Sequence, residues 1–260
     1  MQRYKGYLIC TDIDGTLVNS KGVISENNIN AIKDFQQRGG LFTVSTGRMP
    51  EYVLNFPFVP NAPVISVNGT VIYDIDNRKT IREFPLDCYY DDVLAYINSN
   101  YADKINNYEV YTHGDWVCIE DQPVQAITQL FESSKVYKLL FRFYKADDAA
   151  VMSRDLNEKF HDRFLFDRSW PFGLEMHIKE SGKGHCVRIL KEEMCPGIHT
   201  SVAIGDFEND ITMLKTADIG FAMENAPNHV KQAADRIAPS NDNDAICYVI
   251  NALLQQDSKE

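Results

Sequence analysis

The sequence has no long apolar run. No stretch approaches the roughly 20 consecutive apolar residues that a membrane helix needs. The apolar run at the start, Tyr7 to Cys10, is too short for the core of a secretion signal. Six cysteines are present (Cys10, Cys88, Cys118, Cys186, Cys195 and Cys247), but none forms a CxxC pair, and the six histidines show no zinc-ligand spacing. Buried, reduced thiols in a cytoplasmic protein are the expectation. Basic charge is also short: 26 Lys+Arg stand against 37 Asp+Glu, a net charge of −11. Such a surface repels nucleic-acid phosphates and anionic membranes, so neither is expected as a partner. An anionic substrate would need positive charge supplied locally. There is no internal repeat and no low-complexity linker, and only the tail from Gln255 to Glu260 reads as disordered.

What is present is a rhythm of strand, turn and helix over 260 residues, 44% of them hydrophobic, enough chain for two compact units. Lys5 to Thr11 reads as a strand ending at Asp12. A helix is expected over Ser25 to Gln37, with Ser25 as N-cap, Ile29, Ile32 and Phe35 as its apolar stripe and Gly39-Gly40 as its stop. Leu41 to Ser45 and Ala62 to Val67 read as further buried strands. The style returns after residue 180: a helix over Gly184 to Met194, strands at Thr200 to Ile204, Ile219 to Met223 and Arg236 to Ala238, and a last helix over Ala245 to Leu254. Apolar strands alternating with helices imply an α/β, doubly wound parallel sheet. The middle of the chain reads instead as an antiparallel sheet backed by helices, an α+β insert. The expected division is 1-79 with 180-260, and 80-179. In its last strand Leu174, Met176 and Ile178 share the apolar face, while Glu175, His177 and Lys179 share an outward, wet one.

Four segments at strand ends or in loops carry the chemistry. Asp12-Ile-Asp14-Gly15-Thr16 sets two carboxylates one residue apart, which repel unless a cation or proton compensates. An EF-hand calcium loop is excluded, because its twelfth position requires a carboxylate and this chain has Val23 there. In Gly205-Asp206-Phe-Glu-Asn209-Asp210 the polar side chains fall at i, i+3 and i+4, one face of a helix start, with Asp206 alternatively a simple cap. Hard oxygen ligands of this kind suit Mg²⁺. Thr46-Gly47-Arg48 offers a hydroxyl and backbone N–H groups to an anion at a helix start. Lys183, between Gly182 and Gly184, adds a point charge, although the spacing of a Walker motif is absent.

Together with Asn68-Gly69 and Met223-Glu-Asn-Ala226, these segments resemble the haloacid dehalogenase-like superfamily, more narrowly its Cof-like phosphatases with a type IIB cap. The resemblance implies a Rossmann-like core, residues 1-79 and 180-260, with an inserted α+β cap domain, 80-179, acting as a lid. It implies Asp12 as nucleophile and metal ligand, and Asp14 as general acid and base that also gives its main-chain carbonyl to Mg²⁺. Thr46 and Lys183 would hold the phosphoryl oxygens. Asp206, Asn209 and Asp210 would form the rest of the metal site, and Gly47, Arg48, Asn68 and Gly69 would line the pocket. Arg142, Glu175 and His177 are the substrate-binding candidates from the polar faces of the insert. The implied reaction is Mg²⁺-dependent hydrolysis of a small phosphorylated metabolite, a phosphosugar for preference, through an aspartyl-phosphate. A phosphosugar mutase and a non-catalytic phosphometabolite-binding regulator are the alternatives, and a monomer or small homo-oligomer is expected. Two stretches depart from the usual pattern: Ala245 follows Asn241 to Asp244 where glycine is common, and Lys-Glu-Ser-Gly precedes Lys183.

Overall fold

The computed structural model describes residues 2–86, 90–120 and 123–256; Cys88 and the last four residues of the tail lie outside them. By its own contacts the chain divides into two units, Met1–Ile81 with Lys183–Glu260, and Arg82–Gly182. Among the described residues no helix is long and apolar enough to cross a membrane.

The first unit opens with β1 (Tyr7–Thr11), α1 (Glu26–Gln37) and β2 (Leu41–Val44), then β3 (Val64–Ser66), β4 (Val71–Asp74) and β5 (Lys79–Glu83). Every residue of β1 is buried, as a strand covered on both faces must be. Ser25 caps α1, its hydroxyl accepting from the Asn28 N–H at 3.2 Å. Ile32 and Phe35 are fully buried beneath that helix, with Phe35 against the Tyr4 ring at 4.7 Å between centroids. The expected strand at Ala62 to Val67 is shorter and sits elsewhere: β3 pairs antiparallel with β4 in a separate three-stranded sheet, β3-β4-β5. A single parallel bridge, Ser45 to Ile65, joins β3 to the end of β2. The polar turn Asp74 to Arg78 concealed β4 and β5 from the sequence pattern.

The second unit follows with α2 (Asp91–Tyr101), β6 (Ile105–Thr112), β7 (Asp115–Ile119), α3 (Pro123–Ser133), β8 (Val136–Phe143), α4 (Ala146–Phe160), β9 (Phe164–Trp170) and β10 (Gly173–Ile178). Its antiparallel sheet runs β7-β6-β8-β10-β9. Side chains alternate across it. Val110, Leu139, Phe141, Leu174 and Met176 join the apolar core with Val93, Ile127, Met152 and Leu156 of the helices. The opposite face carries Glu109, Lys138, Glu175 and His177, and all four are buried. The wet face expected for Glu175 and His177 is therefore not what the fold makes. Ion pairing between neighbouring strands lets these polar groups be buried.

The chain returns to the first unit through α5 (Lys183–Ile189), whose last turn widens to a π-turn at Leu190–Met194, and continues with β11 (Thr200–Gly205), α6 (Ile211–Thr216), β12 (Ile219–Met223), α7 (Asn228–Lys231), β13 (Arg236–Ala238) and α8 (Ala245–Gln256). The five-stranded sheet is parallel, in the order β13-β12-β11-β1-β2. From β1 the chain steps one way to β2; from β11 it steps the other way to β12. Right-handed crossovers then place α1 and α6 on opposite faces, the doubly wound arrangement. Strands β1 and β11 are the neighbours at which the winding reverses, in register from Tyr7 with Thr200 to Thr11 with Ile204. The loops after these two strands open together at the switch point, where a ligand crevice forms.

Truncating Phe35 to alanine removes a fully buried ring from under α1. The expected cost is about 3–5 kcal/mol of unfolding free energy, read as a lowered midpoint in urea; a loss under about 1 kcal/mol would contradict this view of the core.

Candidate active site

Asp12 is the first residue beyond β1, and its N–H donates to the Ile204 carbonyl at 2.8 Å, continuing the ladder with β11. Its carboxylate is thereby set beside the loop that follows β11, and it is buried. Gly15 then turns the chain with φ +84°; a Cβ at this position would lie 2.3 Å from Asp206 Oδ2. Glycine is required both by the backbone and by the acidic group behind it. The Thr16 hydroxyl donates to Asp206 Oδ1 at 3.1 Å, tying the two acidic loops together across 190 residues of sequence. Asn225 adds a hydrogen bond to the Gly15 carbonyl at 2.9 Å. The sequence assigns no role to Thr16 or Asn225, although Thr16 lies within the acidic motif and Asn225 within Met223-Glu-Asn-Ala226.

In the loop after β11, Asp210 rather than Asp206 does the capping. Asp210 Oδ2 accepts from the Asp206 N–H at 2.9 Å and the Phe207 N–H at 3.1 Å. A single 3₁₀ turn, Glu208–Asp210, precedes α6, so the expected helix start comes slightly later. Asp210 Oδ1 accepts from Lys183 Nζ at 2.6 Å, and the same ammonium donates to Asp12 Oδ1 at 2.6 Å. Among the described residues the carboxylates of Asp12, Asp206 and Asp210 form one group, with ligand oxygens within 4.8 Å of one another. Gly184 serves packing: a Cβ there would meet the Thr212 carbonyl at 2.5 Å, so it lets α5 lie against α6 and carry Lys183 inward.

Thr46 is buried at the end of β2, held by its N–H to the Ile65 carbonyl at 2.9 Å, while its hydroxyl accepts from the Arg48 N–H at 3.2 Å. No helix starts here; a 3₁₀ turn begins only at Pro50, because β2 is followed by a loop clasped to the end of β3. Asn68 is buried in that clasp, its N–H donating to the Thr46 carbonyl at 2.8 Å, and Gly69 follows with φ +86°. Asp14 stands apart from the three clustered acids. It is exposed and receives both Nε and Nη2 of Arg48 at 2.7 Å, the fork geometry of a strong ion pair. The Arg48 guanidinium lies 4.1 Å from the centre of the Tyr52 ring.

The electrostatics follow from burying three acids with one base. Burial pushes Asp12 well above the usual carboxylate range; the Lys183 charge opposes this, and the charges of Asp210 and Asp206 reinforce it. Asp206 is pushed up to about 7, chiefly by burial and then by Asp210. Burial alone would lower Lys183, but the charges of Asp12 and Asp210 outweigh it and hold the ammonium above its ordinary range. Crowded carboxylates of raised proton affinity are what a small divalent cation would relieve, and their hard oxygens fit Mg²⁺.

The remaining sequence candidates belong to the second unit. Arg142 pairs with Glu109 and lies 4.9 Å from the centre of the Trp170 ring. Lys138 donates to Glu175 at 2.5 Å, and Ser169 donates to the other Glu175 oxygen. Burial would raise Glu175, but Lys138 holds it below the usual range. His177 is fully buried, with Nδ1 2.7 Å from the Ser181 hydroxyl.

The chain is similar to known proteins along most of its length. A 5-amino-6-(5-phospho-D-ribitylamino)uracil phosphatase of Bacillus subtilis is 29% identical over 282 residues, covering 95% of this chain and 97% of that one. A pyridoxal phosphate phosphatase of Escherichia coli is 24% identical, with 95% and 98% covered. Among solved structures, a subclass IIB sugar phosphatase of the haloacid dehalogenase superfamily superposes with a TM-score of 0.74 at 20% identity, covering 95% of this chain and 98% of that one. That likeness extends to the fold, parallel core and antiparallel insert together. A family model described as haloacid dehalogenase-like hydrolase matches residues 9–250, and the chain accordingly belongs to that family, within its Cof-like phosphatases, as a phosphoric monoester hydrolase.

Proposed function

We propose that this phosphatase is Mg²⁺-dependent, that it works through a phosphorylated Asp12, and that its substrate is a small polyhydroxylated phosphate ester, a phosphosugar for preference. The observation that carries the proposal is the buried cluster at the switch point, in which Lys183 bridges Asp12 and Asp210 beside Asp206. Among the described residues only Lys183 hydrogen-bonds the Asp12 carboxylate, through Oδ1, which leaves Oδ2 for attack or for a cation.

In the proposed sequence an Asp12 oxygen attacks phosphorus in line, and the bond from phosphorus to the leaving oxygen breaks. Asp14 protonates that oxygen, then takes a proton from the water whose oxygen attacks the aspartyl-phosphate. The phosphorus–Asp12 bond breaks and inorganic phosphate leaves. Because Arg48 occupies both Asp14 oxygens, one of them must leave the fork before it can carry the proton. Lys183 and Thr46 hold the non-bridging oxygens. Asp12, Asp206 and Asp210, with the Asp14 carbonyl and Asn209 in support, would hold Mg²⁺, which when bound offsets the negative charge shared by phosphate and carboxylates. Gly47, Arg48, Asn68 and Gly69 line the same clasp. The insert residues Arg142 and Glu175 are proposed as substrate contacts on the polar face of their sheet. The polyol preference draws on the ribityl group and the sugar in the names of two relatives. Among the described residues the cysteines form no disulfide and Cys10, Cys186 and Cys195 are buried, which with the acidic charge supports a cytoplasmic setting.

Three outcomes test this reading. Asp12→Asn should lower turnover of p-nitrophenyl phosphate by on the order of 10⁴-fold or more while leaving the circular dichroism spectrum unchanged; turnover within tenfold of wild type rejects the covalent route. EDTA should abolish hydrolysis and added Mg²⁺ should restore it. Burial and the charge of Asp210 push Asp206 up to about 7 in the metal-free fold, so a cation there competes with a proton as the pH falls. Calorimetric Mg²⁺ affinity should accordingly fall by up to about tenfold per unit as pH drops below 7; an affinity level from pH 8 to pH 5.5 contradicts this account of the cluster.

A further inference from the structure

Asn68 sits in a run of left-handed backbone whose strained member is its neighbour Val67. Val67, Asn68 and Gly69 follow one another with φ of +48°, +55° and +86°, all in the left-handed region. A β-branched valine is an outlier there, and even asparagine is less comfortable than glycine. Strain of this kind persists only where the surroundings over-determine it. Here the surroundings are the clasp: the Val67 N–H donates to the Arg48 carbonyl at 3.0 Å and the Asn68 N–H to the Thr46 carbonyl at 2.8 Å, which locks the loop after β3 onto the loop after β2.

The side chain then reaches the other way. Asn68 Oδ1 accepts from Asn209 Nδ2 at 3.2 Å, a contact between residues 141 apart, and both side chains are buried. Asn209 directly precedes Asp210, whose two oxygens hold Lys183 and the N–H groups of Asp206 and Phe207. Gly47 completes the fit, since a Cβ there would lie 3.2 Å from Asn68 Oδ1. Asparagine tolerates a left-handed position better than most residues, and here its amide oxygen also reaches Asn209.

We propose that Asn68 is a positioning residue: its backbone fixes Thr46, its side chain fixes Asn209, and it sets the distance between the phosphoryl clamp and the acidic loop. This rests on the phosphatase reading above but assigns Asn68 a task other than contacting substrate. Small displacements of such groups cost far more in rate than in stability, about 10²-fold for 1 Å.

Asn68→Gly separates the two effects, because it relieves the backbone and deletes only the amide. The thermal midpoint should stay close to wild type. With p-nitrophenyl phosphate, kcat should fall about 10- to 100-fold with KM changed less than about threefold, and calorimetric Mg²⁺ affinity should fall by about tenfold. Asn209→Ala, which also removes the group proposed in support of Mg²⁺, should lose at least as much, and the double variant should be no worse than Asn209→Ala alone, because the shared contact is already gone. Wild-type kcat and Mg²⁺ affinity in Asn68→Gly, or losses that multiply in the double variant, overturn the proposal. So does a KM effect without a kcat effect, which would make Asn68 a substrate contact. A wild-type enzyme that hydrolyses no phosphoester, yet whose Mg²⁺ affinity falls in both variants, sinks the catalytic reading and leaves the positioning role standing.

Discussion

The ammonium of Lys183, buried between Asp12 and Asp210, is the interaction on which the site depends. An amine taken out of water is costly unless paired, and each of these carboxylates would be costly without it. Three acids against one base still leave an excess of negative charge, expressed as the raised proton affinity of Asp12 and Asp206. Strand β1, buried throughout, and strand β11, buried from Ser201 to Gly205, supply apolar burial directly behind the polar centre.

Around this centre the loops restrain one another. Gly15 leaves room for Asp206, Thr16 binds it, Asp210 caps the start of its own loop, and Asn68 spans from Thr46 to Asn209. All of these ties but the Asp210 cap join segments distant in the chain. Such a network orders the reacting groups before a substrate arrives, which is where an enzyme facing a high barrier gains most. Asp14 is the exception. Exposed and forked to Arg48, it is the acidic group of the motif with room to move, and a proton carrier needs that freedom.

The inserted unit solves a different problem. One face of its sheet is an apolar core; the other buries Glu109, Lys138, Glu175 and His177. Alternation along β10 separates Leu174 and Met176 from Glu175 and His177, as expected of any strand. Burial of the polar set depends on partners in other strands: Lys138 for Glu175, and Arg142 for Glu109. A period-two pattern shows which residues share a face but not whether that face is wet.

By itself the sequence determined what local chemistry dictates. Apolar runs marked β1, β2, β11 and β12, Ser25 marked the start of α1, and strand-then-helix order implied a parallel sheet. Acid, hydroxyl and lysine motifs at strand ends placed the candidate site, because short-range signals of period and capping are written in adjacent residues. Only tertiary structure decided the rest. It assigned β3 to a sheet of its own, made Asp210 rather than Asp206 the cap, turned Gly184 to helix packing, and gave Asn68 its reach to Asn209. Apart from the local Asp210 cap, these depend on contacts between residues up to 141 positions apart. Nothing in a local pattern encodes which distant loop will fill the space beside a given side chain.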